Sequence, residues 1–223
     1  MIYLYSGTPG SGKSSDAVRF IKKYLYKRDG LVISNFSFAR PLPWGTKADV
    51  VEVDNVALTP ALVVRNVMPK IKGKKVRENQ YLIVIDEAQL KFNNRDWNDS
   101  ERAAWISFFT QHRKLGFDVL LICQFSGMLD KQIRPLIEYE VVHRKFASFG
   151  LVSKVIAALT FNRLYARVIY YMPTKTRISG GCYFLTPSMC KFYDSHALFS
   201  GQELFDEFGE VEDSESNENL ASH

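Results

Sequence analysis

The sequence predicts an α/β fold: a mostly parallel, doubly wound sheet with helices on both faces. Three observations carry that expectation. Apolar runs of strand length (Ile2–Tyr5, Leu31–Ile33, Tyr81–Ile85, Val119–Cys123), with the valine-rich Val50–Val53, alternate with longer amphipathic stretches. The run Tyr81–Ile85 is apolar throughout, as a central strand covered on both faces must be. The first run ends in a glycine-rich turn that opens into a helical pattern, so a ligand is expected outside the carboxyl ends of the strands.

The first strand stops at Ser6. Gly7-Thr8-Pro9-Gly10-Ser11-Gly12-Lys13-Ser14 follows, an unbroken match to G-x-x-x-x-G-K-[ST], with Ser15 next. Glycines let such a loop curl until successive N–H groups point inward as a nest for anionic oxygens. A helix starting near Gly12 adds free N–H groups and a positive dipole. Gly7 to Ser15 are therefore the candidate nucleotide contacts. Lys13 would reach the β- and γ-phosphates, and the Ser14 hydroxyl would ligate Mg²⁺. A glycine-rich turn can match by chance, but here a strand precedes it. A helix with Ala17, Val18, Phe20, Ile21, Tyr24 and Leu25 on one face follows. The fold class is narrowed to a P-loop NTPase.

That helix is expected from Gly12 to Lys27, with Lys22, Lys23, Lys27 and Arg28 matching the dipole at its end and Asp29-Gly30 stopping it. Leu31–Ile33 reads as a buried strand. Pro41, Pro43 and Gly45 mark an irregular stretch, and Val50–Val53 another strand. Thr59 caps a second helix, with Pro60 in its first position, running toward Ile71. Lys70, Lys72, Lys74, Lys75 and Arg77 surround a glycine in an expected exposed loop. They are candidates for contact with DNA or lipid, or a solvated surface.

Tyr81–Ile85 ends in Asp86-Glu87. Asp86 would complete the Mg²⁺ environment opposite Ser14. Glu87, one residue on, could polarise the attacking water as general base. Alone, the pair would read as ordinary helix-start carboxylates; the P-loop upstream gives it the catalytic reading. Asn93–Ser100 is an expected polar loop and Glu101–Leu115 a helix ended by Gly116. Near its end, Arg113 is either an arginine finger for a neighbouring subunit or a dipole-matched residue without a chemical role; His112 reads as structural. Val119–Cys123 is a buried strand ending in Gln124, which either senses the γ-phosphate and orients water or begins a loop. Asp130–Leu136 is a short helix or turn and Tyr139–Phe146 a strand.

After Gly150 the pattern changes. Leu151–Phe161 is amphipathic and undecided, Leu164–Met172 is β-prone, Pro173–Gly181 reads as a turn and Cys182–Leu185 as a short strand. The expected organisation is a core at 1–149, a β-rich or mixed extension of the same domain at 150–208, and an acidic, disordered tail at 209–223. From Glu203 onward there are eight acidic residues and no Lys or Arg, so the remainder, with 29 basic and 16 acidic residues, is strongly basic. Such a body suits an anionic partner, nucleic acid or a phospholipid surface, or serves solubility alone. The three cysteines have no C-x-x-C spacing, which argues against a zinc site or disulfide framework and for a reducing compartment. Neither a signal peptide nor an apolar window of membrane-spanning length is visible.

The segments G-T-P-G-S-G-K-S, I-D-E-A-Q, Q-H-R-K-L-G-F-D-V-L-L-I-C-Q and K-F-Y-D-S-H, in that order, resemble the zonular occludens toxin (Zot) domain shared with morphogenesis proteins of filamentous bacteriophages. The resemblance spans Met1 to Ala197. It implies a P-loop ATPase of the FtsK/HerA-like branch using ATP and Mg²⁺, acting as a homo-oligomeric ring on the cytoplasmic side of the host inner membrane. It implies that such a ring extrudes single-stranded phage DNA while coat proteins are added. Within it, Gly7 to Ser14 match the nucleotide loop, Asp86 and Glu87 the acidic pair, and Arg113 and Gln124 the H-R and terminal Q positions. Such proteins carry a transmembrane helix after the cytoplasmic domain; here an acidic tail follows instead, which suggests a shortened chain, or membrane contact through a partner or through Leu151–Phe161, a segment short for a stable interfacial helix. Two alternatives stay open: a DNA-packaging or conjugation-type translocating ATPase, and a nucleotide-binding scaffold or switch with little turnover.

Overall fold

The computed structural model describes residues 1–186 and 192, apart from 37, 40, 94–98 and 162. The chain divides into the units Met1–Tyr193 and Asp194–His223, the second outside the described residues. Its strands are β1 (Ile2–Ser6), β2 (Leu31–Ser34), β3 (Asp49–Glu52), β4 (Tyr81–Ile85), β5 (Phe117–Ile122), β6 (Tyr139–Lys145), β7 (Leu164–Tyr171) and β8 (Thr176–Phe184). The α-helices are α1 (Lys13–Leu25), α2 (Pro60–Ile71), α3 (Ala88–Lys91), α4 (Asp99–Gln111) and α5 (Leu151–Leu159).

The strands form one sheet in the order β3-β2-β4-β5-β1-β6-β7-β8. All pairings from β3 across to β6 are parallel; β7 and β8 are antiparallel additions at one edge. Alternation along the central strands splits the core. Leu4, Ile33, Ile83 and Leu121 meet Val63 and Val67 of α2 and Trp105 and Phe109 of α4 on one face. Tyr5, Val32, Val84 and Leu120 meet Ala17, Val18, Ile21 and Leu25 of α1 on the other. The central strands β2, β4 and β5 are covered on both faces, which is why their sequences run apolar with little interruption. Because β5 lies between β1 and β4, the loops after β1, β4 and β5 open together at the carboxyl edge of the sheet.

Several boundaries move. α1 ends at Leu25 rather than Lys27, where the chain turns into β2 and the Lys27 ammonium sits 3.9 Å over the Tyr24 ring. α4 ends at Gln111 rather than Leu115; tight turns then carry residues 112–116, with the Phe117 amide donating to His112 O at 3.0 Å. β5 starts at Phe117, two residues before the expected Val119, so the strand takes in buried Asp118, which pairs with the Met1 amino group at 2.6 Å. The turn expected over Pro173–Gly181 is corrected: the turn is Met172–Lys175, and Thr176 onward already pairs with β7. β8 is an edge strand exposed at every residue except Tyr183, so it lacks the apolar alternation that marks a strand, and Gly180-Gly181 imitates a turn. Leu151–Leu159 is a helix, and the strands after it extend the same sheet beyond β6. Segment 187–208 (save Phe192) and the acidic tail lie outside the described residues. Among the described residues no helix is long and apolar enough to cross a membrane.

Candidate functional site

β1 delivers the glycine-rich loop at its carboxyl end and α1 takes it over at Lys13. Gly7 has φ +145°, and a Cβ there would stand 2.5 Å from the His143 carbonyl oxygen of β6, so only glycine lets β6 pack against the loop. Gly12, at φ +94°, is the left-handed residue that turns the loop into α1. The loop is tied down from three sides. The Gly7 amide donates to Gln124 O at 3.1 Å, the Ser15 hydroxyl donates to Gly12 O at 2.7 Å, and the Tyr183 hydroxyl of β8 donates to the same carbonyl at 2.7 Å.

Lys13 folds over the loop, its Nζ donating to Gly7 O at 2.7 Å and Thr8 O at 3.2 Å. Burial pulls its pKa down; the Glu87 and Asp86 carboxylates oppose that shift. Those two therefore share the field of Lys13 although β5 separates their strands. Asp86 closes β4 in a buried position. Its amide donates to Asn35 Oδ1 at 2.6 Å, and Asn35 Nδ2 donates back to Asp86 O at 2.8 Å. Burial pushes the Asp86 carboxyl up to about 6, against the pull of the Glu87 N–H and the Lys13 charge. Glu87 follows with a left-handed backbone, φ 45°, and its carboxylate accepts from Gln89 Nε2. A left-handed glutamate costs on the order of 1 kcal/mol, strain that clusters at functional sites.

Gln124 follows β5 at the same edge. Its side chain is exposed in a cleft of about 610 Å³ lined by Gly7, Thr8, Glu140 and Lys145. Arg113 does not join this cluster. It stands between α4 and β5, at the amino ends of the strands, where it pairs with Glu138 just ahead of β6. The length of β1, about 15 Å at 3.3 Å per residue, separates it from the loop of its own subunit. His112 is buried, Nδ1 2.5 Å from Phe109 O, and burial lowers its pKa, so its place is structural. Cys123 is buried too, its thiol pushed up to about 12, a core residue.

Sequence reasoning missed the support beneath the loop. Asp16, in the first turn of α1, is buried against His143 of β6 and Arg167 of β7, which are cross-strand partners. Arg167 Nη1 donates to the two Asp16 oxygens at 2.7 and 2.9 Å, His143 Nε2 lies 3.1 Å from Oδ2, and His143 Nδ1 is 3.3 Å from Ser6 O. Lys145, at the end of β6, places its ammonium 3.1 Å from where a Cβ on Gly10 would stand. A charge on the apolar face of α1 was the readable signal for Asp16; nothing local announces His143, Lys145 or Arg167.

The arrangement suits a Mg²⁺–nucleotide complex. Mg²⁺ is usually held by one or two carboxylates together with substrate phosphates rather than by an all-protein cage. The chain supplies donors of that kind, the Asp86 carboxylate after β4 and the Ser14 hydroxyl in the first turn of α1, and among the described residues no cluster of three or more His, Cys, Asp or Glu is found. Comparison with known proteins agrees with the fold. The chain is similar to the N-terminal domain of zonular occludens toxin from Neisseria meningitidis, with TM-score 0.56 and 15% identity over 86% of this chain and 98% of that one. It is also similar to B204, the DNA-packaging ATPase from Sulfolobus Turreted Icosahedral Virus, with TM-score 0.51 and 13% identity over 83% of this chain and 97% of that one. In sequence it is 33% identical over 168 residues to the Gene 1 protein of Enterobacteria phage I2-2, covering 73% of this chain and 46% of that protein. The chain thus spans about half the length of that relative. The family described as Zonular occludens toxin (Zot) matches residues 1–197, and the chain belongs to it.

Proposed function

We propose that this chain is a Mg²⁺-dependent ATPase that powers assembly and export of a filamentous phage at the cytoplasmic face of the host membrane, extruding single-stranded DNA as coat proteins are added. The observation that carries the reading is the meeting of Lys13 with Asp86 and Glu87 in a Zot-family chain related to phage Gene 1 proteins. The loop N–H groups and Lys13 hold the phosphates, and Glu87 takes the proton of the attacking water. Ser14 and Asp86 would hold Mg²⁺, which would supply positive charge against the phosphate oxygens. Gln124 orients the water. Arg113, remote from its own loop, contributes only to a neighbouring subunit's nucleotide in a ring.

Lys145 adds a second cation over the loop. Lys145→Ala is expected to weaken ATP binding roughly tenfold, the worth of one charge-assisted hydrogen bond, by titration calorimetry; an unchanged Kd removes Lys145 from the site.

The DNA contact is assigned to the opposite edge of the sheet. There a groove of about 730 Å³ is lined by Lys70, Lys74, Lys75 and Arg77. Lys70 is held by Asp49 at 2.6 Å, while Lys72, Lys74, Lys75 and Arg77 are exposed. Single-stranded DNA binding, read by fluorescence anisotropy, is expected to fall steeply between about 50 and 200 mM salt, with a shallower slope when those four are alanine. Salt-independent binding contradicts the assignment. Phosphate release strongly stimulated by DNA without membrane or coat protein would favour packaging over export.

A further inference from the structure

We propose that α5 is a membrane-surface contact that seats its apolar stripe in an anionic phospholipid bilayer. A surface helix normally buries its bulky residues and exposes its small polar ones. α5 does the reverse. Among its described side chains, the positions it turns inward, one helical turn apart, are Ser153 and Ala157. Leu151, Val155 and Leu159, spaced i, i+4, i+8, form an outward stripe, with Leu151 81% and Leu159 76% exposed. Ile156 widens the stripe, and exposed Phe149 and Phe161 flank the helix. Large contiguous apolar patches mark interaction sites. This one projects from the chain between β6 and β7, with its bulky side chains on the outside of a helix.

Charge identifies the occupant. Between Glu140 and Asp194 the chain has no acidic residue, an interval of more than fifty positions that contains α5 and both its flanks. Lys154 on the helix and Arg163 just beyond it are exposed. Apolar side chains flanked by exposed Lys and Arg are the composition of helices that lie in a bilayer interface, apolar face down, with cations at the headgroups. The long Lys and Arg stems can reach the headgroups while the stripe enters the acyl boundary. A nine-residue helix buries little area, so one copy binds reversibly, and several copies on one surface bind far more firmly. The inference extends the proposed placement at a membrane, and its test involves no nucleotide.

Flotation of the full chain with lipid vesicles tests it. Wild type is expected to float with vesicles half phosphatidylglycerol at low salt, and at least about tenfold less with pure phosphatidylcholine. Val155→Asp/Leu159→Asp should abolish flotation, and Lys154→Glu should weaken it. In both variants thermal unfolding and ATP affinity should match wild type, so a failure here is separable from a failure of the ATPase reading. If Val155→Asp/Leu159→Asp does not fold, Val155→Ser/Leu159→Ser replaces it. Three outcomes overturn the proposal: no flotation with anionic vesicles, equal flotation of the variants, or self-association in sedimentation velocity that depends on the stripe without flotation. The last would assign α5 to a second copy of the chain.

Discussion

Glu87→Gln is expected to lower kcat for ATP hydrolysis by 10²- to 10⁴-fold, roughly the contribution of a positioned general base. ATP affinity should stay within about threefold of wild type, because the change removes a transition-state interaction rather than ground-state binding. The substitution keeps the side chain's size and its acceptor oxygen for Gln89, and removes only the ability to take a proton. The backbone argues for the same residue. β4 ends at Ile85, Asp86 follows it, and the next residue, Glu87, takes a left-handed backbone at φ 45° while its charge acts on Lys13. Rapid-quench measurement of single-turnover phosphate release separates chemistry from product release. A wild-type rate in Glu87→Gln would reassign the base.

Asp16→Ala is expected to destabilise the fold by about 3–5 kcal/mol, because it leaves the Arg167 charge of a buried cluster uncompensated. Asp16 is 1% exposed and joins three elements: α1, β6 through His143 and β7 through Arg167. Asp16→Asn keeps the shape and loses the charge, so it should fall between alanine and wild type. The pH dependence has a definite sign. Burial raises the Asp16 carboxyl, but the His143 hydrogen bond and the Arg167 charge outweigh it and hold the folded value below 3.8. A carboxylate lowered in the folded state stabilises fully above its unfolded value and loses that contribution as pH falls through the folded one. Wild type should therefore lose its advantage over Asp16→Asn from about pH 4 downward. Urea unfolding of both proteins from pH 7 to pH 3 reads this directly. A constant difference across that range would contradict a charged Asp16. Since the cluster underlies Gly7 and the start of α1, the same variants should also weaken nucleotide binding.

Most of the carboxyl edge was legible because its determinants are local. Eight consecutive residues specify the loop, and an unbroken apolar run marks β4 as central, so the sequence alone places Asp86 and Glu87 at the same edge as the loop. What was hidden depends on strand order and register. The separation of Arg113 from its own loop follows from where α4 feeds β5, which spacing does not encode. The Asp16 cluster needs β7 to return antiparallel to β6 with His143 opposite Arg167, a pairing over 24 residues of chain. β8 was misread because an exposed edge strand has no apolar face to show. α5 stayed undecided because Leu151, Val155, Ile156 and Leu159, the bulky residues that usually signal an inward face, are exposed.

The central claim is that Lys13, Asp86 and Glu87 form a hydrolytic site, and phosphate release from ATP by the full chain tests it most directly. The account predicts steady release with Mg²⁺ that is abolished by EDTA, by Lys13→Ala and by Asp86→Asn. Bound ATP that persists intact for hours in Mg²⁺, or release that survives Lys13→Ala, would contradict it.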